Sequence, residues 1–286
     1  MYTSKTYRYD YDDYEEKGKN AKTMVADILA DPELAKIDEL IIGSWGDSWE
    51  SSAQIILDEM VANKDKFSHI KSLFIGDMDF EECEVSWIIQ GNYEKLLEAM
   101  PQLEKLTIKG STDLQLGKVA SDKLESLEII CGGLPSEVIQ SIRDAKLPAL
   151  KQLNLYIGIE EYGFSGTAAD IKELLEKSDF PQLTELGICD SEIQDELTEV
   201  VLESKYMKQI SSLALSMGTL TDKGGKLLVQ KLPEFPNIKS LDVHYHFLSD
   251  DMMKELEKLS IEVNVEEPNE PDEWNGEVYY YPMLTE

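Results

Sequence analysis

His244 and His246 flank Tyr245, so on an extended strand both imidazoles would point to one side. Two histidines at that spacing can ligate a metal ion, with Asp190 or Asp250 as a further donor. Two imidazoles are too few to define a metal centre, so no metal is assigned. His244, His246 and Asp190 are read instead as candidate contacts for a partner. His69 precedes a strand and reads as a loop residue. Cys83, Cys131 and Cys189 are odd in number and contain no CxxC, which fits a reducing compartment better than a disulfide scaffold. A cysteine nucleophile needs a histidine beside it. Cys189 lies two strand units before His244, so packed thiols are expected. Gly218, Gly224, Gly225 and Lys226 miss the GxxxxGK[ST] spacing of a phosphate loop. There is no GxSxG and no HExxH. No catalytic residue, metal or cofactor is therefore expected.

Aromatics beside carboxylates offer a second kind of chemistry. Trp45, Asp47, Trp49, Asp77, Asp79, Glu81, Glu82, Glu84 and Trp87 fall in two loops. Loops on a rigid scaffold often carry recognition. The structural alternative puts Trp87 on the apolar face of a helix and uses the acids to cap helix starts, where they offset the dipole.

The elements that position these residues repeat. Ile210, Leu213 and Leu215 stand at the first, fourth and sixth places of a unit, and Leu220, Gly224, Leu228 and Leu232 at its eleventh, fifteenth, nineteenth and twenty-third. The same triplet recurs as Ile37/Leu40/Ile42, Ile70/Leu73/Ile75, Leu103/Leu106/Ile108, Leu124/Leu127/Ile129, Leu150/Leu153/Leu155, Leu183/Leu186/Ile188 and Ile238/Leu241/Val243. Fourth and sixth places alternate with polar residues, the mark of a strand with one buried face. Parallel strands need crossovers. Ala53–Ala62, Ala168–Glu176, Glu196–Tyr206 and Asp251–Lys258 read as helices. The step of 21 residues from Leu103 to Leu124 is too short for one. Tyr7, Tyr9 and Tyr11 alternate, which suits a capping strand, and residues 18–36 read as a helix ending at Asp31-Pro32.

This is the leucine-rich-repeat pattern, and the chain resembles its ribonuclease-inhibitor-like class. Ile42-Gly43-Ser44-Trp45-Gly46-Asp47 and Gly76-Asp77-Met78-Asp79-Phe80-Glu81-Glu82-Cys83-Glu84-Val85-Ser86-Trp87 resemble, more narrowly, an uncharacterised family of bacterial cytosolic leucine-rich-repeat proteins. The resemblance implies an α/β solenoid, a right-handed βα horseshoe with a parallel concave sheet and outer helices, and a binding scaffold. The family's Asn or Cys at the ninth place is missing, and Trp45, Met78 and His246 are among the residues found there. At the eleventh place Phe80, Leu134, Ile193, Leu220 and Leu248 fit a core position.

One domain is expected, with a capping segment and helix over 1–36, repeats over 37–265, and an acidic connector and closing strand over 266–286. The concave face would carry fifth places such as Phe74 and seventh places such as Tyr156 and His244. Either it meets a partner, or the N-terminal tyrosines fold over it. The 57 acidic and 27 basic residues give a net charge of −30, which repels nucleic acid and anionic membrane and favours a basic protein partner. The start of the chain has no apolar run of a signal peptide and no stretch is long enough to span a membrane, so cytoplasm is expected. The leading expectation is a non-catalytic protein–protein interaction scaffold whose contacts include Trp45, Asp47, Phe74, Asp77, Asp79, Tyr156, Asp190, His244 and His246. The alternatives are a small-ligand or metal-dependent enzyme with its site around Trp45 and Asp77, and a regulatory subunit of a bacterial multi-protein system.

Overall fold

A computed structural model describes residues 2–284; Met1, Thr285 and Glu286, at the ends of the two terminal segments, lie outside the described residues. Among the described residues, ten parallel strands form one sheet in strict chain order. They are β1 (Ser4–Tyr7), β2 (Glu39–Ile42), β3 (Ser72–Ile75), β4 (Lys105–Lys109), β5 (Ser126–Ile130), β6 (Gln152–Gly158), β7 (Glu185–Ser191), β8 (Ser212–Ala214), β9 (Ser240–Asp242) and β10 (Glu262–Asn264). The helices are α1 (Tyr11–Lys17), α2 (Ala21–Ala30), α3 (Gln54–Ala62), α4 (Lys64–Phe67), α5 (Glu94–Ala99), α6 (Ser136–Arg143), α7 (Ala168–Lys177), α8 (Gln194–Glu203), α9 (Asp222–Lys231) and α10 (Asp250–Glu257).

The register follows the leucine triplets. Leu40, Leu73, Leu106, Leu127, Leu153, Leu186, Leu213 and Leu241 pair in turn across β2 to β9, and Val263 continues the row on β10. A shift by one residue would turn this row to the other face, so its burial fixes the pairing. The helices pack in a row, α2 on α3, α3 on α5, then α6 through α10 in succession. Their buried side chains join the strand leucines in one hydrophobic core. The fifth-place side chains Ile41, Phe74, Thr107, Glu128 and Asn154 point away from that core and are half-buried. Between β4 and β5 there is no helix among the described residues, as the short step requires. Residues of that crossover bridge their neighbours instead, Ile89 with Thr112, Asn92 with Gln115 and Ala120 with Lys146.

Both ends depart from the sequence expectation. β1 does join the sheet, but its leucine position holds Lys5, opposite Leu40. Lys5 and Tyr7 both hydrogen-bond Asp31, which gives the first end of the spine a polar finish. The alternation of tyrosines does not extend to Tyr11. Asp10 caps α1 by accepting from Asp13 N–H at 2.8 Å, and Tyr11 falls on that helix, exposed. At the other end, β12 (Glu277–Tyr279) pairs antiparallel with β11 (Asp272–Trp274) and not with β10, so the expected closing strand is a separate hairpin. The turn at Asn275-Gly276, both with positive φ, favours this local partner over the distant edge. Beyond the hairpin, residues 280–284 run back to the C-terminal ends of β7 to β9. Met283 N–H donates to Met217 O and Leu284 N–H to Asp190 Oδ1, each at 2.8 Å.

Candidate functional site

The nine residues singled out in the sequence separate into two groups. Asp47, Phe74, Asp77 and Asp79, with Trp45, belong to the β2 and β3 loops. Tyr156, Asp190, His244 and His246 belong to β6 through β9. At least three strand spacings of about 4.8 Å separate β3 from β6, so no single pocket gathers both.

In the first group Trp45 is fully buried. It is not a contact residue. Its indole Nε1–H donates to Ser51 O at 2.9 Å and closes the loop. Asp47 is half-buried and accepts from Ser51 Oγ–H at 2.5 Å. Asp77 is held by Arg8, whose Nη2 donates to Asp77 O at 2.7 Å and stands 3.2 Å from Oδ2. The same guanidinium lies 3.4 Å from Glu82. Asp79 is exposed, and its Oδ1 accepts from Glu81 N–H and Glu82 N–H, each at 3.0 Å. Its charge shapes a turn. Among these residues Phe74 is the half-buried apolar one on the open face of the sheet.

That turn exposes Phe80, which the eleventh-place pattern put in the core, and Trp87, for which the sequence offered both a recognition loop and a helix face. Phe80 is 75% exposed, and Met78 is buried in this loop. Trp87 is 59% exposed, on a 3-10 turn (Val85–Trp87) and not on a helix face. Val85 and Ile88 take the buried positions around it. The signal available in the sequence was Asp79-x-x-Glu82, a turn that shifts the register of the residues after it.

In the second group the backbone explains the side chains. Asp190, Met217 and Tyr245 occupy the eighth places of successive units and have φ of 55°, 67° and 53°. A left-handed residue breaks the two-residue alternation, so His244 and His246 do not share a side. His246 is fully buried, donates Nε2–H to Val265 O at 2.9 Å and accepts Leu248 N–H on Nδ1 at 3.1 Å. Both ring nitrogens are engaged, which removes it as a metal ligand or partner contact. Burial lowers its pKa. Asp190 is also fully buried, and burial pushes its carboxyl up to about 7, opposed by the Leu284 and Met283 N–H groups. Its Oδ2 has no hydrogen-bond partner among the described residues. The chain's own C-terminal segment, not a partner, therefore occupies Asp190.

His244 remains half-exposed, with Nδ1 2.9 Å and 3.0 Å from the two Asp242 carboxylate oxygens. Ser216 lies in the row between His244 and Cys189, and its Oγ–H donates to Cys189 Sγ at 3.5 Å. Burial pushes the Cys189 thiol up to about 12 and that of Cys131 likewise to about 12. A thiol so held is protonated at neutral pH and packs as a small apolar group. Tyr156, next in the row, is half-buried, and burial raises its hydroxyl pKa, as do Cys189, Glu128, Asp190 and Asp242. Among the described residues no three His, Cys, Asp or Glu side chains are placed to share a metal ion.

The geometry thus describes an α/β protein of repeat-like construction, with a half-open sheet face and a separate aromatic surface on its first loops. The chain aligns over 99% of its length with a Bacteroides fragilis protein whose crystal structure was determined as a structural-genomics target, at 39% identity, a TM-score of 0.89 and 77% coverage of that chain. It belongs to the same family as that Bacteroides fragilis protein. No protein-family model and no curated protein matches. No helix among the described residues is long and apolar enough to cross a membrane.

Proposed function

We propose that this chain is a leucine-rich-repeat solenoid of the ribonuclease-inhibitor-like class, one domain capped at its first end by β1, that works as a non-catalytic protein-binding scaffold in the cytoplasm. The observation that carries this reading is the asymmetry of the sheet. Among the described residues, the helices that join the core cover one face, while Ile41, Phe74, Thr107, Glu128 and Asn154 line the other in a half-exposed row without a helix upon it. A mixed apolar and polar row on a rigid sheet suits a broad protein contact. The charge of −30 steers basic partners toward it. The enzyme alternative around Trp45 and Asp77 has less support, because one side chain is buried and the other is engaged by Arg8. A regulatory subunit would use the same surfaces.

A photo-crosslinking residue placed at Thr107 or Asn154 in living cells tests the reading. It should trap a discrete protein that the same probe at Lys172, on α7, does not trap. Equal labelling from both positions, or none from the sheet face, would refute it.

A further inference from the structure

Three large aromatics line the loops after β2 and β3: Phe80 and Trp87 are exposed, and Trp49 is half-buried against the edge of the core. Each is held from beneath. Trp49 meets Tyr14 edge-on, with ring centroids 5.7 Å apart at 81°. Phe80 rides on the turn closed by Asp79 Oδ1. Trp87 projects between buried Val85 and Ile88, and Ser86 O accepts from Thr112 Oγ–H at 2.8 Å. Their positions are therefore set by backbone, and a ligand need not order them first. Trp49 and Trp87 line two adjoining recesses. One, of about 310 Å³, adds Phe80, Cys83 and Glu84; the other, of about 450 Å³, is completed on its far side by Glu161.

Charge decides what can sit there. Neither Glu84 nor Glu161 makes an ion pair among the described residues. Two cations lie in this loop cluster, and both are engaged: Arg8 is paired with Asp77 and Glu82, and Lys109 Nζ–H donates to Met78 O at 2.6 Å. A second copy of the chain would bring another −30 to the contact, and an anionic membrane would be repelled likewise. An apolar side chain entering a recess would be desolvated by the indoles, and a lysine or arginine beside it could pair with Glu84 or Glu161 and stack on a ring.

We propose that Trp49, Phe80 and Trp87, with Glu84 and Glu161 at their rim, are the docking site for a partner-protein segment that presents apolar anchors flanked by lysine or arginine. This rests on the scaffold reading and adds to it the partner's chemistry and a contact surface apart from the sheet face.

The test uses the full chain and two synthetic amphipathic helices, one of leucine and lysine and a twin with glutamate for lysine, followed by tryptophan fluorescence and calorimetry. The lysine peptide should bind saturably and the glutamate twin should not. The double variant Phe80→Ser/Trp87→Ser should weaken binding at least tenfold, about one decade in Kd, with the folded state checked by circular dichroism. Glu84→Gln/Glu161→Gln should weaken binding and flatten its salt dependence. Binding that survives Phe80→Ser/Trp87→Ser would mean general attraction to an acidic surface and would overturn the proposal, as would the absence of saturable binding. Loss of this site together with persistent crosslinking from Thr107 would leave the scaffold reading standing without it.

Discussion

At the scale of single residues, the side chains chosen for their chemistry are mostly the ones the fold consumes. Trp45, Asp190 and His246 look like recognition residues because they are polar or aromatic and sit at strand ends. Those ends are also where the backbone turns left-handed and leaves groups to satisfy. The triplet pattern is silent about the eighth place, since nothing in Asp190, Met217 or Tyr245 marks a shared conformation. Asp190 makes this testable. Its folded pKa of about 7 lies above its ordinary value of 3.8, so between those limits the folded chain keeps a proton that the unfolded chain has released. This group's contribution is therefore fully present below about pH 4 and is lost as the pH rises through about 7. Asp190→Asn keeps an acceptor for Leu284 N–H, tolerates a positive φ and carries no charge. We expect it to be more stable than the wild type at about pH 8, by about 1–3 kcal/mol, with the gain shrinking toward about pH 5. Urea denaturation at the two pH values reads the difference. A variant that is weaker at pH 8 would show that the carboxylate has a stabilising counter-charge.

Among elements, the spine was legible because one type of residue, leucine, recurs at a fixed place and cannot be exposed cheaply. What holds one unit to the next was less legible. The ninth-place Asn or Cys of the resembled family is missing, so the sequence shows no polar ladder between units. The structure substitutes other ladders, built from residues of ordinary type. Gln209 Nε2 donates to Phe180 O and Leu183 O at 2.9 and 2.8 Å, and Asn237 Nδ2 repeats this one unit later to Met207 O and Ile210 O at 2.8 and 2.6 Å. At the helix starts, Asp195 accepts from Thr221 N–H, Thr221 Oγ–H and Gly224 N–H at 2.9, 2.6 and 3.0 Å. Asp222 accepts from Ser249 N–H and Oγ–H, each at 2.8 Å. Each acid thus satisfies the open donors of the next unit's helix. The Asp195 bonds are partly buried and those of Asp222 exposed. Asp195→Ala should therefore cost about 2–3 kcal/mol, and Asp222→Ala about 0.5–1 kcal/mol. Equal small losses in denaturant titrations would mean that water replaces both. Phe80 and Trp87 were misplaced for a related reason. The eleventh-place pattern put Phe80 in the core and the helix alternative put Trp87 on an apolar face, whereas Asp79 closes a turn before Phe80 and Trp87 stands on a 3-10 turn, leaving both rings exposed.

For the molecule as a whole, charge sets a contest between local pairs and global repulsion. The ion pairs are largely at the surface, such as Lys172 with Glu203 at 3.2 Å and Lys254 with Asp251 at 3.2 Å. Exposed pairs of this kind contribute about 0–1 kcal/mol each and weaken as salt is added. Against them stand 57 acidic side chains for 27 basic ones, an excess of 30 negative charges that no local pairing can neutralise. Their mutual repulsion acts over longer distances, and salt screens it most effectively there, since the Debye length falls to about 10 Å at about 0.1 M. The two contributions have opposite signs, and the unmatched acids should dominate. Thermal unfolding should therefore move to higher temperature as sodium chloride is raised from about 0.02 to about 0.3 M. Association with a cationic segment should weaken over the same range, since there the screened interaction is attractive. A melting temperature that falls with salt would mean that the stack is held by its local pairs, and the acidic surface would then need no partner to relieve it.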